Sequence, residues 1–258
     1  MHEVKQFLQK KRSSISLLLS PLFQSDTYSR CKHLKGGIHQ AVKEVKANIH
    51  DYQYVFKSDI HGYYESIQHD ILLAEFKRVI QCEGLIKLLE QYLKRLESRD
   101  SIYYHFLQGI PKGCPLSPLM GVLMLKPLDD ALSQKGFYCR FMDDWVILVK
   151  TKSQLRRVIK ITYRVLKKLK LKMHPDKTMI GRIAKGFDFL GIHFGKVIQI
   201  AKQSIENHRS RISQRYAQGK GKSHIDLYIK RWRKWCRSLL KCCEESISSM
   251  DLEAILRI

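Results

Sequence analysis

The sequence predicts an α+β fold, a helix-backed antiparallel sheet of the split βαβ kind, from three observations. Short apolar runs of strand length alternate with longer helical patterns, a hairpin stands in the middle of the chain, and 44% hydrophobic residues are enough to bury a core over 258 residues. In order, the pattern predicts a helix over 37–49, a strand over 54–60, and a helical stretch over 71–96 with a break near Gly84. A Gly/Pro-rich loop follows, then a helix over 118–134 and strands over 138–141 and 145–150, the second carrying Val146-Ile147-Leu148-Val149. Ser153 is placed to cap a helix in which Leu155, Val158, Ile159, Thr162, Val165, Leu166 and Leu169 share one face. Its opposite face bears Arg156, Arg157, Lys160, Arg164, Lys167 and Lys168, which by itself reads as a solvated face. A strand over 178–183 and a hairpin over 187–200 complete the region, and the loop at 218–223 (QGKGKS) marks it off from a basic helical tail.

Charge sets the class of partner. With 47 Lys and Arg against 24 Asp and Glu, a net +23 spread along the chain points to a polyanion, and nucleic acid is the leading one. No apolar run approaches the roughly 18 to 20 residues that span a bilayer, so no membrane partner is expected. The run Ile15 to Leu19 after Lys10, Lys11 and Arg12 is too short for a signal peptide. Seven cysteines without a CxxC pair or zinc-type spacing read as reduced thiols of a cytoplasmic protein.

Two acidic sites interrupt apolar strands. Asp59 ends the run from Tyr54, and Asp143-Asp144 splits Phe141-Met142 from Trp145-Val146-Ile147-Leu148. Carboxylates between buried strands need a cation, a proton or solvent. Asp-Asp also makes an ordinary hairpin turn. Asp129-Asp130 is a comparable doublet, but it lies in a helical pattern where one face can meet water. If Asp59 and Asp143 come from adjacent strand ends, they can hold two Mg²⁺ ions about 3.5 to 4 Å apart, as phosphoryl transfer requires.

The order of these landmarks resembles the reverse transcriptase family, closest to the bacterial group II intron and group II-like enzymes of retroelements. Asp59-Ile60-His61-Gly62-Tyr63-Tyr64-Glu65-Ser66-Ile67 is similar to the first catalytic motif, and the segment Gln108 to Leu119 (QGIPKGCPLSPL) to the loop and helix start that hold template and nucleotide. Phe141-Met142-Asp143-Asp144 resembles the Tyr-x-Asp-Asp box. Leu171 to Ile180 with Lys177, and Gly186-Phe187-Asp188-Phe189-Leu190-Gly191, resemble the last two motifs, the second being the primer-grip hairpin. Upstream, Tyr28-Ser29-Arg30 and Gly37-Ile38-His39-Gln40-Ala41 resemble the approach to the first catalytic strand.

The resemblance implies a polymerase palm over 51–200, partial fingers or an approach segment over 1–50, and a basic thumb-like helical region over 201–258. It implies RNA-directed DNA polymerase activity on an RNA template with a DNA or RNA primer and deoxynucleoside triphosphates. Asp59, Asp143 and Asp144 become metal ligands and catalytic residues for two Mg²⁺ ions, and Lys177 a catalytic proton donor to pyrophosphate. Tyr64 becomes the steric gate against a ribose 2′-hydroxyl, with Gln108, Gly109, Pro111 and Gly113 beside the nucleotide. Phe189, Leu190 and Gly191 form the primer grip, and Lys230, Arg231, Arg233, Lys234 and Arg237 of the tail contact nucleic acid. The tail's apolar face, with Tyr228, Trp232, Trp235, Cys236, Leu239 and Leu240, reads as core packing.

Departures from the family pattern are Phe141 for the usual Tyr, Met142 for a small residue, Lys112 for Gln and Cys114 for Ser. Only 58 residues precede Asp59, which leads to the expectation of a shortened chain, or one that takes its fingers from a partner chain. A second class of reading is a degenerate copy that binds RNA without catalysis. Short length favours it and intact carboxylates oppose it.

Overall fold

The computed structural model of the chain describes residues 36–94, 96–99, 102–105, 108–114 and 116–243. The run at 15–19, the Tyr28-Ser29-Arg30 segment, most of the 1–50 segment and the tail after 243 lie outside the described residues. The centre is a four-stranded antiparallel sheet in the order β4-β5-β1-β6, built from β1 (Tyr54–Ser58), β4 (Phe137–Phe141), β5 (Asp144–Val149) and β6 (Met179–Arg182). Helix α1 (Gly37–Asn48) precedes β1, and five helices and a small hairpin lie between β1 and β4. After β1 the order is α2 (Tyr63–Ser66), α3 (His69–Val79), α4 (Glu83–Leu93), β2 (Leu96–Arg99), β3 (Ile102–His105), α5 (Ser117–Met124) and α6 (Lys126–Leu132). Helix α7 (Lys152–Lys168) links β5 to β6.

Side chains alternate across the sheet and supply two cores. Phe56, Trp145, Ile147 and Val149 face a helix layer of α3 to α7, while Val55, Cys139, Val146 and Leu148 face the other side. That second side is closed by α1, by a small sheet β7 (Phe187–Phe189), β8 (Ile192–Phe194) and β9 (Gln199–Ile200), and by the second of two tail helices, α8 (Lys202–Ala217) and α9 (Lys222–Lys241). The sheet is therefore buried on both faces, which is why β5 reads as a continuous apolar run.

Element ends differ from expectation for local reasons. The helical stretch 71–96 is two helices parted at 80–82, ahead of Gly84, where Ile80 and Cys82 are extended. The stretch 118–134 breaks at Leu125, because Pro127 sits in the first turn of α6 and cannot donate to a preceding carbonyl. Thr151, and not Ser153, caps α7. Its hydroxyl accepts from the Gln154 backbone N–H at 3.2 Å, and Gln154 Oε1 accepts from the Thr151 N–H at 3.1 Å, a reciprocal capping box. The loop at 218–223 lies between the two tail helices, which pack on one another. There the buried His208 of α8 stacks on Trp232 of α9 with ring centroids 3.8 Å apart.

Thr151→Ala removes one half of the capping box and is expected to cost about 1 kcal/mol. Urea unfolding checks it: the midpoint falls while the m-value stays unchanged.

Candidate active site

The register of β1 against β5 brings the acidic residues together. Ser58 lies opposite Trp145, so Asp59, one step past the end of β1, is next to Asp144, the first residue of β5. Asp144 in turn pairs with Phe141 of β4, which leaves Met142 and Asp143 as a two-residue hairpin turn. Met142 has φ 56, the left-handed conformation that favours glycine at the first position of such a turn. All three carboxyls thus occupy one end of the sheet. On the far strand, Ser58 and Thr178 hydroxyls meet at 2.7 Å, and the His174 N–H donates to the Asp59 carbonyl at 2.8 Å. These bonds fix the turn that carries Lys177.

Asp59 is 5% exposed, and its Oδ2 is ion-paired with Lys177 Nζ. Its Oδ1 is buried without a hydrogen-bond partner. Burial and the neighbouring Asp59 charge push Asp143 up to about 7 and Asp144 up to about 6. The Asp59 hydrogen bond raises Lys177, so that ammonium stays charged, whereas burial lowers Lys57, which lies on the same strand and feels Asp144, Asp188 and Asp59. Lys57 and Lys177 line a cleft of about 570 Å³ together with Asp188, His193, Gln199 and Lys202.

Among the described residues no group of three or more His, Cys, Asp or Glu side chains is arranged to enclose an ion. Asp59 is coupled through its charge to both Asp143 and Asp144. The donor set still fits a hard divalent cation. Mg²⁺ is held by one or two carboxylates together with substrate phosphates and water, and the orphaned Oδ1 of Asp59 and the proton-retaining Asp143 are oxygens that a cation would satisfy.

One residue unmarked in the sequence reading anchors the turn. Arg140 on β4 is fully buried and donates to both oxygens of Asp129, through Nε at 2.6 Å and through Nη2, while Nη1 donates to the Met142 carbonyl at 2.8 Å. Tyr138 Oη also donates to Asp129 at 2.9 Å. The Asp129-Asp130 doublet is helical with one face to water, as expected: Asp130 is exposed and pairs with Lys126, while Asp129 is 2% exposed. The signal was present: an arginine within the buried run Tyr138-Cys139-Arg140 is as out of place as Asp59, and needs an internal counter-charge.

Tyr64 is half-buried on α2 with its ring against Tyr63, centroids 5.7 Å apart, and Tyr63 Oη donates to the Gly121 carbonyl. A Cβ on Gly121 would stand 3.2 Å from both tyrosine rings and 3.4 Å from Met142 Cε. Gly121 of α5, also unmarked in the sequence, is thus where the gate residue and the acidic turn converge. The loop carrying Gln108, Gly109, Pro111 and Gly113 is tied to the same segment. Gly109 N–H donates to Ile67 and Ile110 N–H to Tyr64, each at 2.7 Å, and Gln68 Nε2 donates to Gln108 Oε1 at 2.7 Å. Gly109 has φ 88 and a Cβ there would meet the Glu65 carbonyl at 3.2 Å, so close approach requires glycine. Lys112 is ion-paired with Glu65 on the surface.

Leu190 and Gly191, both at positive φ, form the two-residue turn between β7 and β8, and Phe189 is buried beneath it. A Cβ on Gly191 would fall 2.8 Å from the Trp235 ring, so α9 rests directly on that turn. Lys230, Arg231, Arg233, Lys234 and Arg237 are exposed along α9. Trp232 and Trp235 pack against the second core.

A family model described as "Reverse transcriptase (RNA-dependent DNA polymerase)" matches residues 4–194. Protein YkfC of Escherichia coli (strain K12) is 26% identical over 164 residues, 50% of this chain and 43% of that protein. The match therefore spans less than half of YkfC. Among solved structures, apo telomerase from Candida tropicalis truncated from its C-terminal domain superposes with TM-score 0.58 at 14% identity, covering 75% of this chain and 45% of that one. Telomerase from Candida albicans in complex with a TWJ fragment of telomeric RNA superposes with TM-score 0.58 at 11% identity, covering 94% and 49%. At these identities the likeness is one of fold.

Two tests of the site follow from its burial. Arg140→Met strands the Asp129 carboxylate and is expected to cost about 3–5 kcal/mol in urea unfolding, most of it regained when Asp129→Leu is added. For the carboxyls, the folded chain retains protons on Asp143 that the unfolded chain releases near the ordinary value of 3.8. Their contribution is thus present at low pH and is lost as pH rises toward about 7. His208, lowered to about 4 mainly by burial, acts with the opposite sign. The measurement is therefore the difference between wild type and Asp143→Asn without divalent cation. The variant is expected to gain stability relative to wild type as pH rises from about 4 to about 7, and equal slopes would contradict the assignment.

Proposed function

Because the chain belongs to the reverse transcriptase (RNA-dependent DNA polymerase) family, we propose that it extends a primer 3′-hydroxyl with deoxynucleotides on an RNA template. The observation that carries this reading is the meeting of Asp59 and Asp143-Asp144 at one sheet end, beside Lys177 and next to a packed Tyr64. The family generally uses divalent metals. Here Asp59 and Asp143 would hold two Mg²⁺ ions, with Asp144 as a third ligand. When bound, such ions supply Lewis acidity to the attacking hydroxyl and neutralise charge on the leaving pyrophosphate.

The chain's own residues supply position and proton balance. Arg140 holds the Met142 carbonyl, so the acidic turn keeps its left-handed geometry as charge arrives. Lys177 carries its proton at Nζ against Asp59 and can pass it to a pyrophosphate oxygen. Tyr64, backed by Tyr63 and by the α5 backbone at Gly121, presents a ring edge that excludes a ribose 2′-hydroxyl. The backbone at Gly109 and Gly113 leaves room for the nucleotide, and Gln108 is held by Gln68. The turn at Leu190 and Gly191 positions the primer terminus, and the cations of α9 contact phosphates, which makes binding steeply salt dependent. Intact carboxylates speak against a purely RNA-binding relic. The reduced-thiol composition and the motif order support a cytoplasmic, group II-like enzyme.

Primer extension on oligo(dT)-primed poly(rA) with Mg²⁺ tests the reading. Wild type is expected to incorporate dTTP in preference to UTP. Asp143→Ala is expected to lose on the order of 10³-fold or more, corresponding to several kcal/mol of charge stabilisation. Tyr64→Ala is expected to accept UTP. Absence of extension by wild type, with salt-sensitive RNA binding retained, would establish the non-catalytic alternative.

A further inference from the structure

Between Asp144 and Asp176 the chain contains no Asp or Glu, yet it contains Lys150, Lys152, Arg156, Arg157, Lys160, Arg164, Lys167, Lys168, Lys170 and Lys172. Most of these lie on α7, whose inner face is buried through Leu155, Val158, Thr162 and Leu166. Arg156, Arg157, Lys160, Arg164, Lys167 and Lys168 are all exposed, and none has an ion-pair partner among the described residues. Three of the helices before β4 hold a cation–carboxylate pair within one turn, Arg78–Glu75, Lys94–Glu90 and Lys126–Asp130, whereas α7 shares its lack of such pairs with the basic tail helices α8 and α9. Like charges at i and i+4 repel, so an uncompensated row of Arg156, Lys160, Arg164 and Lys168 opposes folding of the helix that carries it. Its steps are about 6 Å and its length about 18 Å, from the 1.5 Å rise per residue.

The row is flanked by two grooves. One, of about 490 Å³, is lined by Arg156, Arg157, Lys160, Ile161 and Arg164. The other, of about 710 Å³, joins Tyr163 and Lys167 to Lys170 and Lys172. Tyr163, 57% exposed, lines the larger groove as an aromatic ring among cations. The larger groove runs on through Met173 and Pro175 to Thr178, beside Lys177, whereas the row on α7 lies apart from the acidic site. Lys57 and Val146 face the side of the sheet closed by β7 to β9, whereas α7 packs on the opposite side through the first core, so its outer face points away from the cleft at Lys57.

We propose that the outer face of α7 is an RNA-docking surface distinct from the carboxylate end of the sheet, taking the phosphate backbone and an unpaired base of a structured RNA. A row of cations in even steps suits successive phosphates, and an exposed tyrosine lining a groove suits a base splayed from a loop. The inference goes beyond the polymerase reading and stands whether or not the chain extends primers.

The test uses the full chain and two labelled probes, an RNA stem-loop with an unpaired loop and the poly(rA)/oligo(dT) template-primer. In Arg156→Gln/Lys160→Gln/Arg164→Gln the helix former glutamine keeps α7 intact. The stem-loop Kd is expected to rise about tenfold or more at moderate salt, and the slope of log K against log salt to flatten by about 2, at about 0.7–0.9 per lost phosphate contact. Template-primer binding is expected to change less than about twofold. Tyr163→Ala, which leaves every cation in place, is expected to weaken the stem-loop about fivefold or more with the slope unchanged. The proposal is overturned by an unchanged stem-loop Kd in both variants, or by both probes weakening in parallel. It is equally overturned if binding to phosphatidylserine vesicles or to an Asp/Glu-rich peptide is lost while stem-loop binding is retained.

Discussion

The antiparallel register that sets Ser58 opposite Trp145 is the constraint on which the rest of the site depends. It places Asp59 beside Asp144, and the two-residue turn after Phe141 adds Asp143, so acidic groups from two distant segments of the chain share one partly buried sheet end. A one-residue slip would send Phe56 and Trp145 to the opposite core and separate the carboxyls at the same time. Fold stability and site assembly are thus coupled through a single pairing. The T-shaped contact of Phe56 and Trp145, with centroids 4.6 Å apart, lies next to that pairing and helps hold it.

Concentrating acid there creates a repulsion that the surroundings answer in different ways. Lys177 neutralises Asp59 directly, and its turn is tied to β1 by the Ser58–Thr178 and His174–Asp59 bonds. Asp143 and Asp144 instead keep protons more tightly than usual. Arg140 is equally close in sequence, but its charge is consumed by Asp129, so it acts as a brace and leaves the net charge of the site unchanged. A buried arginine that neutralised Asp143 would satisfy the carboxyls too well to leave them available to a cation. The division between a bracing cation that is fully paired and a partly exposed lysine that can be displaced keeps the site both ordered and receptive.

Much of this was legible in the sequence because period and chemistry agreed. The strands at β1 and β5, the amphipathic α7 and the acidic interruptions at Asp59 and Asp143-Asp144 each combined a pattern with a residue that the pattern disfavours. The Leu190-Gly191 turn and the Gly109 loop were visible as glycines between apolar runs, and the structure gives both positive φ. What was hidden depended on distance across the chain. Arg140 is out of place in its buried run, but its partner, Asp129, lies eleven residues away on a helix, where no local pattern points. Gly121 carries no local signal, since its role is to make room for Tyr63, Tyr64 and Met142 from other elements. Cap and break positions at Thr151 and Leu125 were displaced by one capping box and one proline, details that periodicity does not resolve.

The tail is joined to the acidic site more closely than a linker at 218–223 suggests. Trp235 sits on Gly191, the His208 and Trp232 rings stack, and His39 of α1 bonds Ser238 of α9 at 2.5 Å. The first and last of these contacts fix α9 against elements that close the second face of the central sheet, and the stack ties α8 to it. The buried face of α9 is apolar and its cations are outside, so fixing the rotation of the helix also fixes the direction in which Lys230, Arg233 and Arg237 point. Gly191 is decisive because any side chain there would push Trp235 outward and turn that row of charge relative to the sheet end. A hairpin turn chosen for its left-handed backbone therefore also sets the angle between the acidic end of the sheet and the basic face of the tail, which is the geometry a bound polyanion must satisfy.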